Sequence, residues 1–174
     1  MRFLSAVALG AGLTTFVAAQ ALASTLPDSC GNDKVTFDVN HQQPQATVAE
    51  AEPEPGKARI VFIESVDTTS CIGCGVTARI GVDGQWAGAN RGNSYFVYPI
   101  APGSHNLCAN WQSKIGYLKN KVSMTSLAAE PGKTYYYKVN VSLASYGFDL
   151  VPVNEDEAKF RLKTASLSIP KPSH

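Results

Sequence analysis

The residues best suited to chemistry are the cysteines of Cys71-Ile72-Gly73-Cys74. A pair at this spacing exchanges disulfides when a helix N-terminus lowers the pKa of its first thiol. Here Gly75 and a β-branched run follow, with no helical pattern, and that context favours a structural disulfide closing a short loop. Cys30 and Cys108 then form a second bridge that ties an N-terminal arm to the compact part of the chain. The chain-entropy model credits so large a loop with about 4 kcal/mol. Four cysteines allow three pairings, so a crossed arrangement of Cys30 or Cys108 with the Cys71/Cys74 pair stays open. Zinc on Cys71, Cys74, Cys108 and His105 has suitable ligand types, but structural zinc sites usually carry two knuckle pairs and the chain has one. The expectation is no bound metal and no cofactor.

Catalysis finds little else to use. His105 lies in the middle of the chain with no Gly-x-Ser-x-Gly nucleophile elbow to serve, and reads as a strand residue bonded locally. Glu155, Asp156 and Glu157 read as a solvated helix start rather than an acid–base group. No catalytic residue is assigned, and the chain is not expected to be an enzyme. The aromatics are better candidates, because Trp and Tyr join an apolar body to a polar handle. Trp86, Tyr95, Tyr98 and Trp111 lead as a stacking surface for a glycan or peptide, with Tyr117, Tyr136 and Tyr146 behind them. Tyr135 and Tyr137 alternate with polar residues along one apolar face and read as core. Asn140-Val141-Ser142 matches a glycosylation sequon.

These side chains must be positioned by elements built after export. Met1-Arg2, an apolar run to Ala19, and Ala21-Leu22-Ala23 make a secretory leader cleaved after Ala23, placing the mature chain in the periplasm or outside the cell. Pro27 and Asp28 break the pattern that a lipid-anchoring cysteine at Cys30 needs. Cleavage leaves 151 of the 174 residues, one ordinary domain. The chain has 15 basic and 14 acidic residues, and Arg2 leaves with the leader, so the remainder is neutral. That balance argues against nucleic acid as a partner, and no later apolar run would span a membrane.

Past an arm and Pro/Glu-rich linker over residues 24–57, alternation and turn signals place strands at 35–39, 58–64, 77–82, 85–88, 94–100, 104–111, 125–130, 134–143 and 148–153. Asp83-Gly84 suits a two-residue hairpin, Asn90–Asn93 another turn, and Pro99 a ladder end or sheet edge. Asn154 caps a short helix, and residues 164–174 read as an extended, frayed tail. About seven to eight strands without long amphipathic helices predict an all-β antiparallel sandwich, Ig-like, over residues 58–163.

Three runs carry a family resemblance: PGKARIVFIE from Pro55, TARIGVDGQWAGANRGNSYFVYPIAPGSHNLCANWQS from Thr77, and LAAEPGKTYYYKVNV from Leu127. With the Asp83-Gly84 hairpin, the Pro102–His105 turn and the Gly132–Tyr136 strand start, roughly residues 55–160 resemble the domain-of-unknown-function 2846 family. The later two runs also resemble PEGA-type surface modules. The resemblance implies a sandwich and an exported bacterial protein, and it brings no catalytic residues. Many members are lipoproteins, and this sequence departs from them in lacking a lipobox.

The expectation is therefore a non-catalytic binding or structural module of the bacterial envelope, with an envelope protein or glycan as partner. The alternatives are a thiol–disulfide or metal-linked protein centred on Cys71 and Cys74, and a partner domain that accepts an added strand at an open edge.

Overall fold

A computed structural model describes residues 26–66, 75–142 and 147–173. The leader, the Cys71/Cys74 pair, Tyr146 and the side chain of Tyr117 lie outside the described residues. The chain folds as an all-β sandwich. One sheet has six strands in the order β1 (Thr36–Gln42), β10 (Ser166–Ser173), β5 (Ser94–Ile100), β2 (Ala58–Val66), β8 (Thr134–Ser142) and β9 (Gly147–Val153). The other has four: β4 (Gln85–Arg91), β3 (Thr77–Val82), β6 (Gly103–Gln112) and β7 (Val122–Ala129).

The alternation of side chains along each strand sets the core. Ile60 and Phe62 of β2, Phe96 of β5, and Tyr137, Val139 and Val141 of β8 face Ile80 of β3 and Leu107, Ala109 and Trp111 of β6. The Phe62 ring lies 5.2 Å from Phe96 and 6.2 Å from Tyr137. The expected apolar face of the 134–143 strand is thus this core. Asp83 and Gly84 take φ of 50° and 83°, so the β3–β4 hairpin uses the positive-φ pair its sequence announces.

The fold is larger than the sequence reading. Described residues form ten strands, and β2–β8 and β10–β5 pair parallel rather than antiparallel. Crossovers, not hairpins, bring these strands together, and turn signals do not announce a crossover. The turn expected at Asn90–Asn93 is narrower, because β4 runs to Arg91. A short helix, α2 (Gly116–Lys119), stands between β6 and β7.

The tail expected to fray is β10, inside the six-stranded sheet. Pro172 and Pro170 stand opposite Phe37 and Val39 of β1. The Phe37 N–H and C=O turn away from β10 to the Gln112 carboxamide, at 2.7 and 3.0 Å, so a proline opposite Phe37 forfeits no bond to β1. β10 meets β5 only at Ser166 and Leu167, which leaves the prolines on its open side, where a missing N–H blunts an edge. Pro99 is explained the same way. It faces Arg59 across β2–β5, while the Arg59 N–H bonds Lys133 on the β8 side, so Pro99 sits where β5 is locally an edge.

The linker also differs from expectation. β1 extends to Gln42, and Ala46–Glu50 form a helix, α1. Val48 and Ala49 join an apolar cluster on the outer face of the six-stranded sheet, with Val61, Ile63, Tyr95 and Leu167. That burial orders a stretch whose composition reads as solvated. The sandwich therefore spans Thr36 to Ser173, wider than 58–163 at both ends. The C-terminal helix, α3 (Glu155–Leu162), is as expected, with Asn154 Oδ1 accepting from the Glu157 N–H at 2.8 Å.

Cys30 and Cys108 are disulfide-bonded across a sequence separation of 78. Cys30, Leu26 and the neighbouring chain cover the outer face of the four-stranded sheet. Gly81 permits this, since a Cβ there would meet the Cys30 backbone at 3.0 Å. Replacing both Cys30 and Cys108 with serine should lower unfolding free energy by about 2–5 kcal/mol in a denaturant titration. An unchanged midpoint would show that the arm is held without the bridge.

Candidate functional site

Two helices and the outer face of the six-stranded sheet enclose a cleft of about 820 Å³. Its floor is built by alternation: Arg59 on β2, Tyr95 on β5, and Thr134 and Tyr136 on β8 all point away from the inter-sheet core. α1 and the chain to Glu52 form one wall, and Glu155, Lys159 and Lys163 of the α3 segment form the other. Lys133, from the β7–β8 turn, stands at one end.

Arg59 holds the first wall in place. Its buried guanidinium donates to the carbonyls of Val48, at 3.2 Å, and of Ala49, and its Nε donates to Thr134 Oγ1 at 3.0 Å. Tyr95 adds a second anchor. Its hydroxyl donates to the Gln45 carbonyl at 3.0 Å and accepts from the Gln45 N–H at 3.1 Å. A five-residue helix has too few internal bonds to persist alone, so these contacts determine where α1 sits.

The second wall is held by charge. Lys138 Nζ meets Glu157 Oε1 at 2.6 Å, and Arg161 reaches the same carboxylate at 2.8 Å while donating to Ser65 Oγ at 2.8 Å. Lys138 first, then Arg161, holds the Glu157 carboxyl below its usual range. Lys159 pairs with Glu155 at 2.7 Å on the rim. In the floor, burial raises the Tyr136 hydroxyl pKa, Glu155 raises it further, and Arg59 opposes both through its charge and a hydrogen bond. Tyr136 thus stays a neutral phenol between a carboxylate and cations. Among the described residues the lining includes no cysteine, serine or histidine, and its two other hydroxyls are engaged, Thr134 by Arg59 and Tyr95 by Gln45.

The residues singled out from sequence are dispersed. Tyr95 lines the cleft but is 1% exposed, with its hydroxyl taken by Gln45. Trp111 is core, 5.9 Å from Phe148, and offers no open platform. Tyr98 packs against the same core from β5. Trp86 covers the other sheet: its Nε1 donates to the Asn32 carbonyl at 2.7 Å, and the Arg79 guanidinium lies 4.5 Å above its ring. Its work is to hold the N-terminal arm. The zinc arrangement fails on two counts. Cys108 is consumed by its disulfide, and His105 is bonded to Asp83 Oδ2 at 2.6 Å and to the Ala101 carbonyl at 2.8 Å. Among the described residues no group of three or more His, Cys, Asp or Glu converges as a metal site requires.

No family model matches the chain, and neither a curated protein nor a solved structure is significantly similar to it. The cleft must therefore be read from its own chemistry. Sequence reasoning missed Arg59 and α1. One signal was present: in Ala58–Glu64, an otherwise apolar run, Arg59 and Glu64 are the charged residues, and a charge in a central strand needs a partner.

The sheet edges bear on strand addition. β7 and β9 lie side by side, with the Leu150 N–H donating to Ser123 Oγ at 2.9 Å, and Gln112 occupies the β1 edge at Phe37. Neither presents an uninterrupted row of free backbone groups.

Two outcomes follow from the wall contacts. Arg59→Met should leave the sandwich folded but speed amide exchange across Val48 and Ala49 in a hydrogen-exchange experiment; unchanged protection would remove Arg59 as the anchor. Glu157 has a depressed folded-state pKa, so its stabilisation is complete above the ordinary value of 4.5 and is lost as pH falls through the folded value. The stability gap between wild type and Glu157→Gln should accordingly be widest near neutral pH and narrow as pH falls below 4.5, by denaturant midpoints.

Proposed function

We propose that this protein is an exported, non-catalytic binding module of the bacterial envelope, periplasmic or secreted, whose α1–α3 cleft takes a glycan. The observation that carries the reading is the cleft itself: a concave site of about 820 Å³ with Tyr136 in its floor and both signs of charge at its rim. That volume falls in the range of small-ligand sites, roughly 300–1,000 Å³. A protein partner would need roughly 800 Å² of opposing surface per side, and a concave site fits that poorly. A tyrosine ring offers an apolar face to a sugar, and the surrounding carboxylates, ammonium groups and hydroxyl match its donors and acceptors.

The Cys30–Cys108 bridge supports an oxidising compartment, since such bonds persist outside the reducing cytosol. The leader-like N-terminus and the resemblance to the domain-of-unknown-function 2846 family point the same way. Lys133, Lys159 and Lys163 at the rim favour a glycan that bears carboxylates, and Glu50 and Glu52 favour amino or hydroxyl groups on the facing side.

Isothermal titration with solubilised cell-wall oligosaccharides and with neutral oligosaccharides tests this directly. The expected result is binding of the former, weakened about tenfold (about 1.4 kcal/mol) in Tyr136→Ala and largely kept in Tyr136→Phe. Equal binding by wild type and Tyr136→Ala, or binding of neither set, would overturn the proposal. Capture of an envelope protein through the same cleft would replace the glycan with a protein ligand.

A further inference from the structure

Glu64 has an unusual place for a carboxyl group. It points into the core between the sheets, near the end of β2, and is 0% exposed. Oε1 accepts from the Gly92 N–H at 3.1 Å, and the Ala78 backbone also bonds the carboxyl. Oε2 has no partner. Asn90 is equally buried, and its Nδ2 donates to the Phe62 carbonyl at 3.0 Å, which leaves Oδ1 without a partner as well.

The two orphaned atoms belong to one neighbourhood. Glu64 bonds Ala78 of β3 and Gly92, two residues beyond Asn90. Asn90 is the register partner of Ala78 and bonds Phe62, two residues before Glu64. Both unpartnered atoms are acceptors, so neither satisfies the other as an ionised pair. A proton between them satisfies both. We infer that Glu64 is held as a neutral carboxylic acid whose Oε2–H donates to Asn90 Oδ1, a proton-closed latch between the six-stranded and four-stranded sheets.

The surroundings favour the neutral form. Toward Glu64 lie Val76, just before β3, and Ala78 on it, Asn90 on β4 and Gly92 just beyond it, and the register partners on β5 and β8 are Ser94 and Val139. None of these titrates. The nearest charges along those strands, Arg79, Arg91 and Lys138, occupy alternate positions and are engaged elsewhere or exposed. Arg79 bonds Asn110 and the arm, Lys138 bonds Glu157, and Arg91 is at the surface. No cation is supplied to offset ionisation. Burial raises the Glu64 pKa well above its ordinary value of 4.5, and the two backbone hydrogen bonds only partly oppose it.

The latch sits where β2 ends its pairing with β5, two residues before the strand itself ends. The chain from Glu64 reaches β3 through the segment that carries Cys71 and Cys74. Ionising Glu64 would place an uncompensated charge in this end of the core, so raising the pH should loosen the two sheets there first. The sign follows from the raised folded-state pKa. The stabilisation is complete below 4.5 and is lost as pH climbs through the higher folded value.

Infrared difference spectra of protein labelled with ¹³C at glutamate carboxyls test the inference, together with denaturant midpoints from pH 5 to 9. The expected result is a protonated-carboxyl C=O band in wild type at neutral pH, absent from Glu64→Gln and shifted to higher wavenumber in Asn90→Ala. Wild-type stability should fall with rising pH by up to one proton's worth of slope relative to Glu64→Gln, whose carboxamide can donate to Asn90 at any pH. Absence of the band at neutral pH, or a band unmoved by Asn90→Ala, would overturn the latch. Should a variant fail to fold, loss of the wild-type band on alkaline titration, in step with faster amide exchange at Val76–Ala78, carries the same decision. A band that titrates with no change in exchange there would refute it.

Discussion

Ala58 to Glu64 on β2 and Thr77 to Val82 on β3 are buried on both sides of their sheets. A two-layer sandwich hides one face of each sheet and leaves the other for polar side chains. Central strands that are dry on both faces demand an outer layer, and the chain supplies one on each side. α1 and α3 cover the six-stranded sheet, and the disulfide-bonded arm from Leu26 covers the four-stranded one. The cleft exists because the first of these covers is incomplete.

Each cover buries some apolar surface, and in each a buried arginine adds polar anchors. Arg59 donates to the carbonyls of α1, and Arg79 donates to the carbonyls of Asp33 and Val35 and to Asn110 Oδ1 while stacking on Trp86. A guanidinium carries five donors in a planar fork, so one side chain satisfies several backbone acceptors that would otherwise be buried without partners. Burial lowers the Arg79 pKa, yet a group with so high a starting value stays charged. Glu64 is the contrasting case: an acid buried without a cation gives up its charge instead.

Whatever depended on local periodicity was legible in the sequence. The alternation of Tyr135, Tyr137, Val139 and Val141 announced β8, Asp83-Gly84 announced its hairpin, and Asn154 with three acids announced α3. The Cys30–Cys108 pairing was also accessible once the closer pair was set aside. What failed was long-range. Proline marked residues 164–174 as a tail, although Pro170 and Pro172 occupy positions that need no N–H. Polar composition marked residues 40–57 as a linker, although two small apolar residues and a distant arginine suffice to order α1. The aromatics were ranked by type, whereas burial sorted them by strand parity: Trp111 faces inward, and Tyr136 faces the cleft.

The cleft was the least legible feature because its parts lie far apart in the chain. Parallel pairing of β2 with β8 sets Arg59 beside Thr134 and Tyr136, and the crossover that permits this pairing leaves no local signature. Its walls rest on hydrogen bonds and ion pairs more than on packing. Such contacts fix position with little apolar area, and they also yield at modest cost when a competing polar ligand arrives. A wall tied by Glu157 to Lys138 and Arg161 is therefore preformed yet adjustable, which suits the flexible, hydroxyl-rich chain proposed as its ligand. The inter-sheet core below shares none of this latitude, because Phe62, Ile80 and Leu107 are fully buried and close-packed. The proposed recognition is thus confined to the outer layer, and Glu64 sits in the rigid layer beneath it, where a change of charge would act on the scaffold rather than on the cleft.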